Sequence, residues 1–263
     1  MQLNYKWEDN NKQESIVLLH GFLSDMESLS EMSFKLSEDY NVLRIDLPGF
    51  GGSPLESIDV SFLDVLSRIK AVIDNLKLER VHLFGYSMGG RLAIALMIHY
   101  PKLFRSAILE STTVGIKDPD KRAERLQIDI KRAQHLRHDF EGFLDEWESM
   151  PLFESKERLD EETYLTQRKN RHAQNPLSVA RSLLVYGTGV QPYFGDLFQH
   201  IECPLLLIAG KKDEKFVKIN TAMSKTNSCT ELVIVDGAGH NVHLEAADEF
   251  YRHVKKFLKN VKG

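Results

Sequence analysis

Short apolar runs alternate with amphipathic stretches in the first 112 residues. Four of these runs have the length of a buried strand and are bounded by charged or turn-forming residues: 16–19, 40–46, 81–84 and 106–109. Between the second and third runs, residues 62–76 carry apolar side chains at three- and four-residue intervals, which predicts a helix with one apolar face. Such alternation predicts right-handed crossovers and a mostly parallel sheet with helices on its faces.

The pattern changes in the middle of the chain. In residues 117–172 nearly half of the side chains are charged, against 27% for the whole chain, and strand-like runs disappear. Apolar positions such as Leu126, Ile130 and Ala133 still recur at helical spacing, so we expect helices that pack one face against the rest of the protein.

The strand pattern resumes at 203–210 and 230–235, and residues 246–260 have the apolar spacing of a closing amphipathic helix. These patterns predict an α/β core made of residues 1–112 and 195–263, with a helical insertion over 113–194. An insertion at this place would lie above the strand ends as a lid, where it would exclude water and select the substrate.

A serine follows the third apolar run, within the sequence Gly-Tyr-Ser-Met-Gly at 85–89. Strand, sharp turn and helix in this order expose the Ser87 hydroxyl, and the small residues on both sides allow the chain to reverse tightly. The start of the next helix favours negative charge at this point. The alternative interpretation is a glycine-rich connection whose serine only caps that helix.

A nucleophilic or basic serine needs a histidine and an acid, and both follow later strands. Asp213 comes just after 203–210, and His240 comes in the loop after 230–235. The order Ser, Asp, His is that of α/β-hydrolases. Asp236 and His243 are alternatives for the acid and the base, and the two histidines together could be imagined as metal ligands. No convincing ligand spacing accompanies them, and we expect no metal.

The backbone N–H groups of Phe22 and Met88 are the candidate donors of an oxyanion hole. Met88 directly follows the serine, and Phe22 belongs to the sequence His-Gly-Phe after the first strand. We interpret His20 as a residue that fixes this loop.

Composition narrows the class of protein. A length of 263 residues, 42% of them hydrophobic, suits one large globular unit, and a net charge of −4 argues against attraction to nucleic acid or to anionic membranes. The N-terminus has no basic stretch followed by an apolar core, and no apolar run is long enough to span a bilayer. With two cysteines, reduced thiols and a cytoplasmic location are expected.

Many short motifs, spread nearly end to end, make the chain similar to a known enzyme family, the α/β-hydrolase-fold lyases of menaquinone biosynthesis named 2-succinyl-6-hydroxy-2,4-cyclohexadiene-1-carboxylate synthases. The match is loosest over 116–138. The motifs are His20-Gly21-Phe22, 46–53, Gly85 to Arg91, Glu110-Ser111, Trp147 with Pro151-Leu152-Phe153, Arg168-x-Asn170, Gly187-Thr188-Gly189-x-Gln191, Gly210 to Phe216, and Gly239-His240.

The resemblance implies the elimination of pyruvate from a cyclohexene that carries three carboxylates, without a cofactor. In such an enzyme Ser87, polarised by His240 and Asp213, removes a proton and is not acylated. The resemblance further implies substrate contacts from Tyr86, Arg91, Arg125, Trp147 and Arg168. Arg122 is an alternative to Arg125, and Trp147 could instead be a core residue. The oligomeric state stays open between a monomer and a weak dimer.

Two other classes of protein with this fold would show the same triad and pocket in their sequences. A carboxylester or carbon–carbon bond hydrolase would use the triad through an acyl intermediate or an activated water. A small-molecule sensor would keep the pocket, but its triad residues would be free to change. An arginine-rich lid favours the lyase, since neutral esters need no cluster of cations.

Overall fold

The computed structural model describes residues 2–150 and 159–261, which include a seven-stranded sheet in the order β1-β3-β2-β4-β5-β6-β7. Strand β1 pairs antiparallel with β3 at the edge, and all other neighbours are parallel. The strands are β1 (Tyr5–Glu8), β2 (Ser15–Leu19), β3 (Asn41–Ile45), β4 (Val81–Tyr86), β5 (Phe104–Glu110), β6 (Leu205–Gly210) and β7 (Thr230–Val235).

Helices connect these strands and flank the sheet. They are α1 (Ser30–Leu36), α2 (Phe62–Asn75), α3 (Met88–His99), α4 (Pro119–His138), α5 (Phe140–Glu148), α6 (Glu161–His172), α7 (Pro176–Tyr186), α8 (Gly195–Phe198), α9 (Glu214–Ser224), α10 (Val242–Glu245) and α11 (Ala247–Val261). Two short 3₁₀ helices cover Met26–Leu29 and Pro101–Leu103.

Two apolar clusters lie on opposite faces of the sheet. The cluster on one face packs the sheet against α2, α3 and α7. The cluster on the other face packs it against α1 and α11. The strands β2 and β6 are buried along almost their whole length, as expected for parallel strands covered on both faces. This layered arrangement confirms the predicted α/β class.

The segment between β5 and β6 is helical in its described part. Helix α4 packs along α7 and against α5, while α7 also contacts α2 of the core. Capping residues and prolines in the first turn set where these helices begin: Asp118 caps α4 and Asn175 caps α7. The described helices of the segment thus pack on one another and, through α7, on the core. Within the described ranges, no helix has the length and apolar character needed to cross a membrane.

Candidate active site

Ser87 lies at a strained turn between β4 and α3, with φ of 51°. The turn is tight enough that a Cβ on Gly85 would come 2.7 Å from the Gly90 Cα atom. The Ser87 N–H donates to the Glu110 carbonyl at 2.9 Å, and the Thr112 hydroxyl donates to the Ser87 carbonyl at 2.8 Å. The neighbouring strand thus holds the serine in a conformation that costs free energy in isolation.

Three side chains from distant loops meet at this turn. The His240 Nδ1–H donates to Asp213 Oδ2 at 2.6 Å, and His240 Nε2 accepts from the Ser87 hydroxyl at 3.0 Å. Asp213 and His240 are 4% and 2% exposed. The second oxygen of Asp213 accepts from the Phe216 N–H at 3.1 Å, which fixes the carboxylate at the start of α9. This geometry allows the histidine to take a proton from, or through, the serine.

The alternative acid and base lie elsewhere. Asp236 is 78% exposed and pairs with the Lys211 amine at 2.7 Å. His243 is buried, and both its backbone N–H and its Nδ1–H donate to Glu110, at 3.1 and 2.7 Å. Neither residue hydrogen-bonds to Ser87 or His240. In the described part of the chain, no group of three or more His, Cys, Asp or Glu side chains has the arrangement of a metal site.

Phe22 and Met88 both line the cavity beside Ser87. No side chain caps the first turn of α3, so its backbone N–H groups are available to a ligand. His20, in the same loop as Phe22, is fully buried. Its Nδ1–H donates to the Gly21 carbonyl at 2.7 Å, and its Nε2 accepts from the Leu47 N–H at 3.0 Å. Both ring nitrogens are engaged with the backbone, so His20 fixes the loop.

A cavity of about 760 Å³, here called the large cavity, opens beside Ser87 and His240. This volume lies in the range of small-molecule sites. Its walls come from the loops that follow β2, β4, β5 and β7, and from α3, α4, α5, α7 and α9. None of the described residues that line it is an aspartate or a glutamate. The cations that line it are Arg91, Lys121, Arg125, Arg132 and Lys215.

Arg91 is the most deeply placed of these cations, at 7% exposure. Its Nη1 donates to the Tyr186 carbonyl at 3.1 Å and to Gln191 Oε1 at 2.6 Å. It has no ion pair with a described carboxylate. Burial, with repulsion from Arg125, lowers the pKa of Arg91 to about 10. The guanidinium is therefore charged at neutral pH, and a bound anion would neutralise it.

Arg125 also lines the large cavity. Arg122, the alternative to it, does not. The Arg125 Nε donates to Asp129 Oδ1 at 2.8 Å, and Asp129 Oδ2 accepts from the Gly189 N–H at 3.0 Å. Asp129 is fully buried. One carboxylate thus orients the Arg125 side chain and ties α4 to the turn after α7.

Tyr86 and Trp147 border a second, small cavity of about 50 Å³. Trp147 also lines the large cavity, is 8% exposed, and stacks on Phe143 at 5.8 Å, so it is both a core residue and part of a cavity wall. The Tyr86 ring lies between His240 and His243, with centroid distances of 5.5 and 5.1 Å. Burial raises the pKa of Tyr86 well above its usual value.

The structure does not bring Arg168 to either cavity. Arg168 is 43% exposed and pairs with Glu148 at 3.3 Å and Asp145 at 3.5 Å. Arg171, one turn further along α6, lines the small cavity, is 12% exposed and donates to Glu148 at 3.0 Å. The two arginines are three positions apart, so they lie on the same side of α6 and share Glu148, but only Arg171 borders the small cavity. Residues 151–153 of the sequence motif lie outside the described residues.

Four side chains at the site were not singled out from the sequence: Arg132, Arg171, Lys215 and Glu245. Arg132 lies over the Trp147 ring at 5.3 Å, and its spacing of seven from Arg125 on one helix face could have revealed it. The Glu245 carboxylate accepts from the backbone N–H groups on both sides of His240, Gly239 at 2.7 Å and Asn241 at 3.2 Å. No local sequence signal distinguishes a glutamate of this kind from a surface residue.

Similarity to known proteins agrees with this geometry. Residues 16–253 match the alpha/beta hydrolase family. A protein of Bacillus subtilis (strain 168), named provisionally as a 2-succinyl-6-hydroxy-2,4-cyclohexadiene-1-carboxylate synthase, is 38% identical over 97% of this chain and 93% of its own. The chain belongs to this synthase family.

Two further members extend over almost the whole chain. The 2-succinyl-6-hydroxy-2,4-cyclohexadiene-1-carboxylate synthase of Serratia proteamaculans (strain 568) is 29% identical over 93% of both chains. The structure of MenH from S. aureus superposes with a TM-score of 0.93 and 35% identity, covering 98% of this chain and 99% of that one. The α/β-hydrolase fold and the family resemblance expected from the sequence are thereby confirmed. Membership in the synthase family makes the chain an enzyme.

Proposed function

We propose that the protein eliminates pyruvate from 2-succinyl-5-enolpyruvyl-6-hydroxy-3-cyclohexene-1-carboxylate, giving 2-succinyl-6-hydroxy-2,4-cyclohexadiene-1-carboxylate, as a lyase of menaquinone biosynthesis. The observation that carries this proposal is the large cavity: five cations and no described acid surround a space next to a Ser-His-Asp triad. A substrate with three carboxylates fits such a lining, whereas a neutral ester gains nothing from it.

The reaction starts with loss of the ring proton beside the succinyl ketone. The Ser87 hydroxyl, hydrogen-bonded to His240 Nε2 at 3.0 Å, takes this proton while its own passes to the imidazole. Asp213, at 2.6 Å from Nδ1, holds the ring in the tautomer that can accept and stabilises the imidazolium that forms. General-base assistance of this kind is worth about 10²–10⁴ in rate.

Negative charge then develops on the ketone oxygen. The N–H groups of Phe22 and Met88, together with the positive end of α3, stabilise that charge, and they need no reorganisation during the step. The electrons move through the ring double bond and expel the enolpyruvyl group by breaking its carbon–oxygen bond. No acyl intermediate forms, since the serine acts as a base.

The cations hold the substrate for this step. Arg91 and Arg125 present planar guanidinium groups to the large cavity, and each can bind a carboxylate at two points. Arg132 adds a third charge. We propose that the segment 113–194 is a lid over the core, because α4, α5 and α7 supply one side of the cavity. A lid of this kind excludes water from the reacting carbon.

The test is a comparison of two reactions by the same enzyme. Purified protein is given the enolpyruvyl cyclohexene, with pyruvate measured, and separately p-nitrophenyl acetate, with nitrophenolate measured. We expect robust pyruvate release and negligible ester hydrolysis. Strong esterase activity that is insensitive to both Arg91→Ala and Arg125→Ala, with no pyruvate release, would favour a hydrolase instead.

A cytoplasmic location is part of the same proposal. Both cysteines, Cys203 and Cys229, are free thiols in the structure, which fits a reducing compartment. The expected partner is the small-molecule substrate.

A further inference from the structure

The proposed elimination also needs a proton at the leaving oxygen, and the triad does not supply one there. When the carbon–oxygen bond breaks, its electron pair stays on the enolpyruvyl oxygen, which becomes an enolate unless it receives a proton. His240 is protonated by the first step, but it lies with Ser87 at the carbon that loses the proton. A second proton donor at the leaving oxygen would therefore lower the barrier.

The large cavity offers few groups for this task. A cationic donor is favoured, because it both attracts the developing charge and supplies a proton. The arginines that line the cavity are less suited, because a guanidinium group spreads its charge over three nitrogens, and Arg91 and Arg125 already donate to Gln191 and Asp129. Both lysines that line the cavity are exposed residues. Lys121 lies near the beginning of α4, whereas Lys215 lies beside the triad, two residues after Asp213.

Lys215 lies two residues after Asp213, in the first turn of α9. Its Nζ is 5.5 Å from the centroid of the Phe216 ring, and that ring packs on His240 with a centroid distance of 4.7 Å. Within residues 2–150 and 159–261, no carboxylate forms an ion pair with the Lys215 amine. The amine thus lies near the triad, on the cavity wall, free to interact with a substrate group.

The surroundings of Lys215 favour release of its proton. Partial desolvation at the cavity wall lowers the pKa of the Lys215 amine, the guanidinium groups of Arg125 and Arg132 lower it further, and Asp213 acts in the opposite direction. The start of α9 adds the positive end of a helix, which also disfavours an ammonium group. A lysine that served only as a fixed charge would gain nothing from such a place.

We propose that Lys215 is the general acid that protonates the enolpyruvyl oxygen as its bond to the ring breaks. The carbon–oxygen electron pair moves onto oxygen, and the proton passes from Nζ to that oxygen. The product leaves as the enol of pyruvate, which becomes pyruvate by tautomerisation. The neutral amine then takes a proton from water. This inference rests on the proposed function.

The test measures pyruvate release by Lys215→Met and Lys215→Arg against pH. We expect kcat to fall about 100-fold in Lys215→Met, as is typical of general-acid loss. Lys215→Arg keeps the charge but not a transferable proton, so it should restore KM and leave kcat low. In the wild type, kcat should fall as pH rises through the pKa of Lys215, below the usual lysine value, and this limb should vanish in both variants.

A matched control comes from the same helix. Lys218 is 79% exposed and pairs with Glu214, and Lys218→Met should keep wild-type kcat and KM. Recovery of wild-type kcat in Lys215→Arg, or a loss confined to KM, would overturn the assignment and make Lys215 a carboxylate-binding residue. Unfolding midpoints equal to that of the wild type exclude a folding defect.

A second measurement separates the two chemical steps. In D₂O, Lys215→Met should exchange the ring proton beside the ketone into unreacted substrate while it releases little pyruvate, because the triad is intact. Equal loss of exchange and release would contradict the proposal. If the wild type releases no pyruvate at all, the proposed function fails; if Lys215→Met matches an active wild type, only the role of Lys215 fails.

Discussion

At the scale of single residues, Arg91 is the clearest determinant of substrate binding. Its charge is nearly buried and meets two neutral oxygens and no described carboxylate, so a bound anion would complete its hydrogen bonds. We predict that Arg91→Met raises KM for the tricarboxylate about 10- to 100-fold, as expected for about 1.5–3 kcal/mol from a charged hydrogen bond. Steady-state kinetics of pyruvate release measures this effect.

The control for Arg91 is Arg137, an exposed arginine near the end of α4 that lines neither cavity. Arg137→Met should change KM less than threefold. An equal rise in KM for both variants would mean that overall charge, and not the geometry of the cavity, sets the affinity.

Residue types and chain order made the triad predictable, while the arginines of the lid were harder to assign. Ser87, Asp213 and His240 each follow a strand, and the carboxyl ends of parallel strands converge. Arg168 and Arg171 are three positions apart on the same side of α6 and share Glu148, so the sequence alone does not say which of the two reaches a cavity. The position of Lys215 on the cavity wall depends on contacts between distant segments, so the sequence does not reveal it.

At the scale of secondary-structure elements, the short helix α10 holds the loop that carries His240. Glu245 accepts from the N–H groups on both sides of the histidine. We predict that Glu245→Gln lowers kcat about tenfold with little change in KM, because an amide has one acceptor oxygen for two donors and the imidazole loses its fixed position.

Glu249→Gln, on the adjacent α11, is the matched control and should keep the kcat of the wild type. An unchanged kcat in Glu245→Gln would contradict the role of Glu245.

The position of helix α4 depends on its close contact with the turn after α7. A Cβ on Gly189 would come 2.5 Å from the Leu126 Cα and N atoms, and the Gly189 N–H donates to the carboxylate that orients Arg125. We predict that Gly189→Ala displaces α4 and raises KM at least tenfold. Gly237→Ala, at a site with open space but φ of 78°, should strain the backbone and leave KM unchanged. Equal KM values in the two variants would refute the effect.

The central strands and the helices α2 and α11 were predictable because each buries a continuous run or one regular stripe of apolar residues. Observed bounds differ by a few residues, for example Val81–Tyr86 for the run at 81–84. The edge strand β1 is four residues long and half-buried, and such a segment has no distinct apolar pattern. Its place comes from antiparallel pairing with β3.

At the scale of the whole molecule, charge is distributed unevenly. The chain carries a net charge of −4, yet the large cavity is lined by five cations and no described acid. A trianionic substrate should be drawn to this cavity through a field that salt screens. We predict that kcat/KM falls about tenfold between 0.01 and 0.5 M KCl. Sucrose in place of salt is the control, and a flat response to KCl would contradict electrostatic attraction.

In the proposed reaction the triad serves as a base for pyruvate elimination. Pyruvate release from the enolpyruvyl cyclohexene is therefore measured for the wild type, Ser87→Ala and His240→Ala, at equal concentrations of folded enzyme. We expect each substitution to lower the rate by about 10²–10⁴. Undiminished release in both variants would contradict the role of the triad as a base.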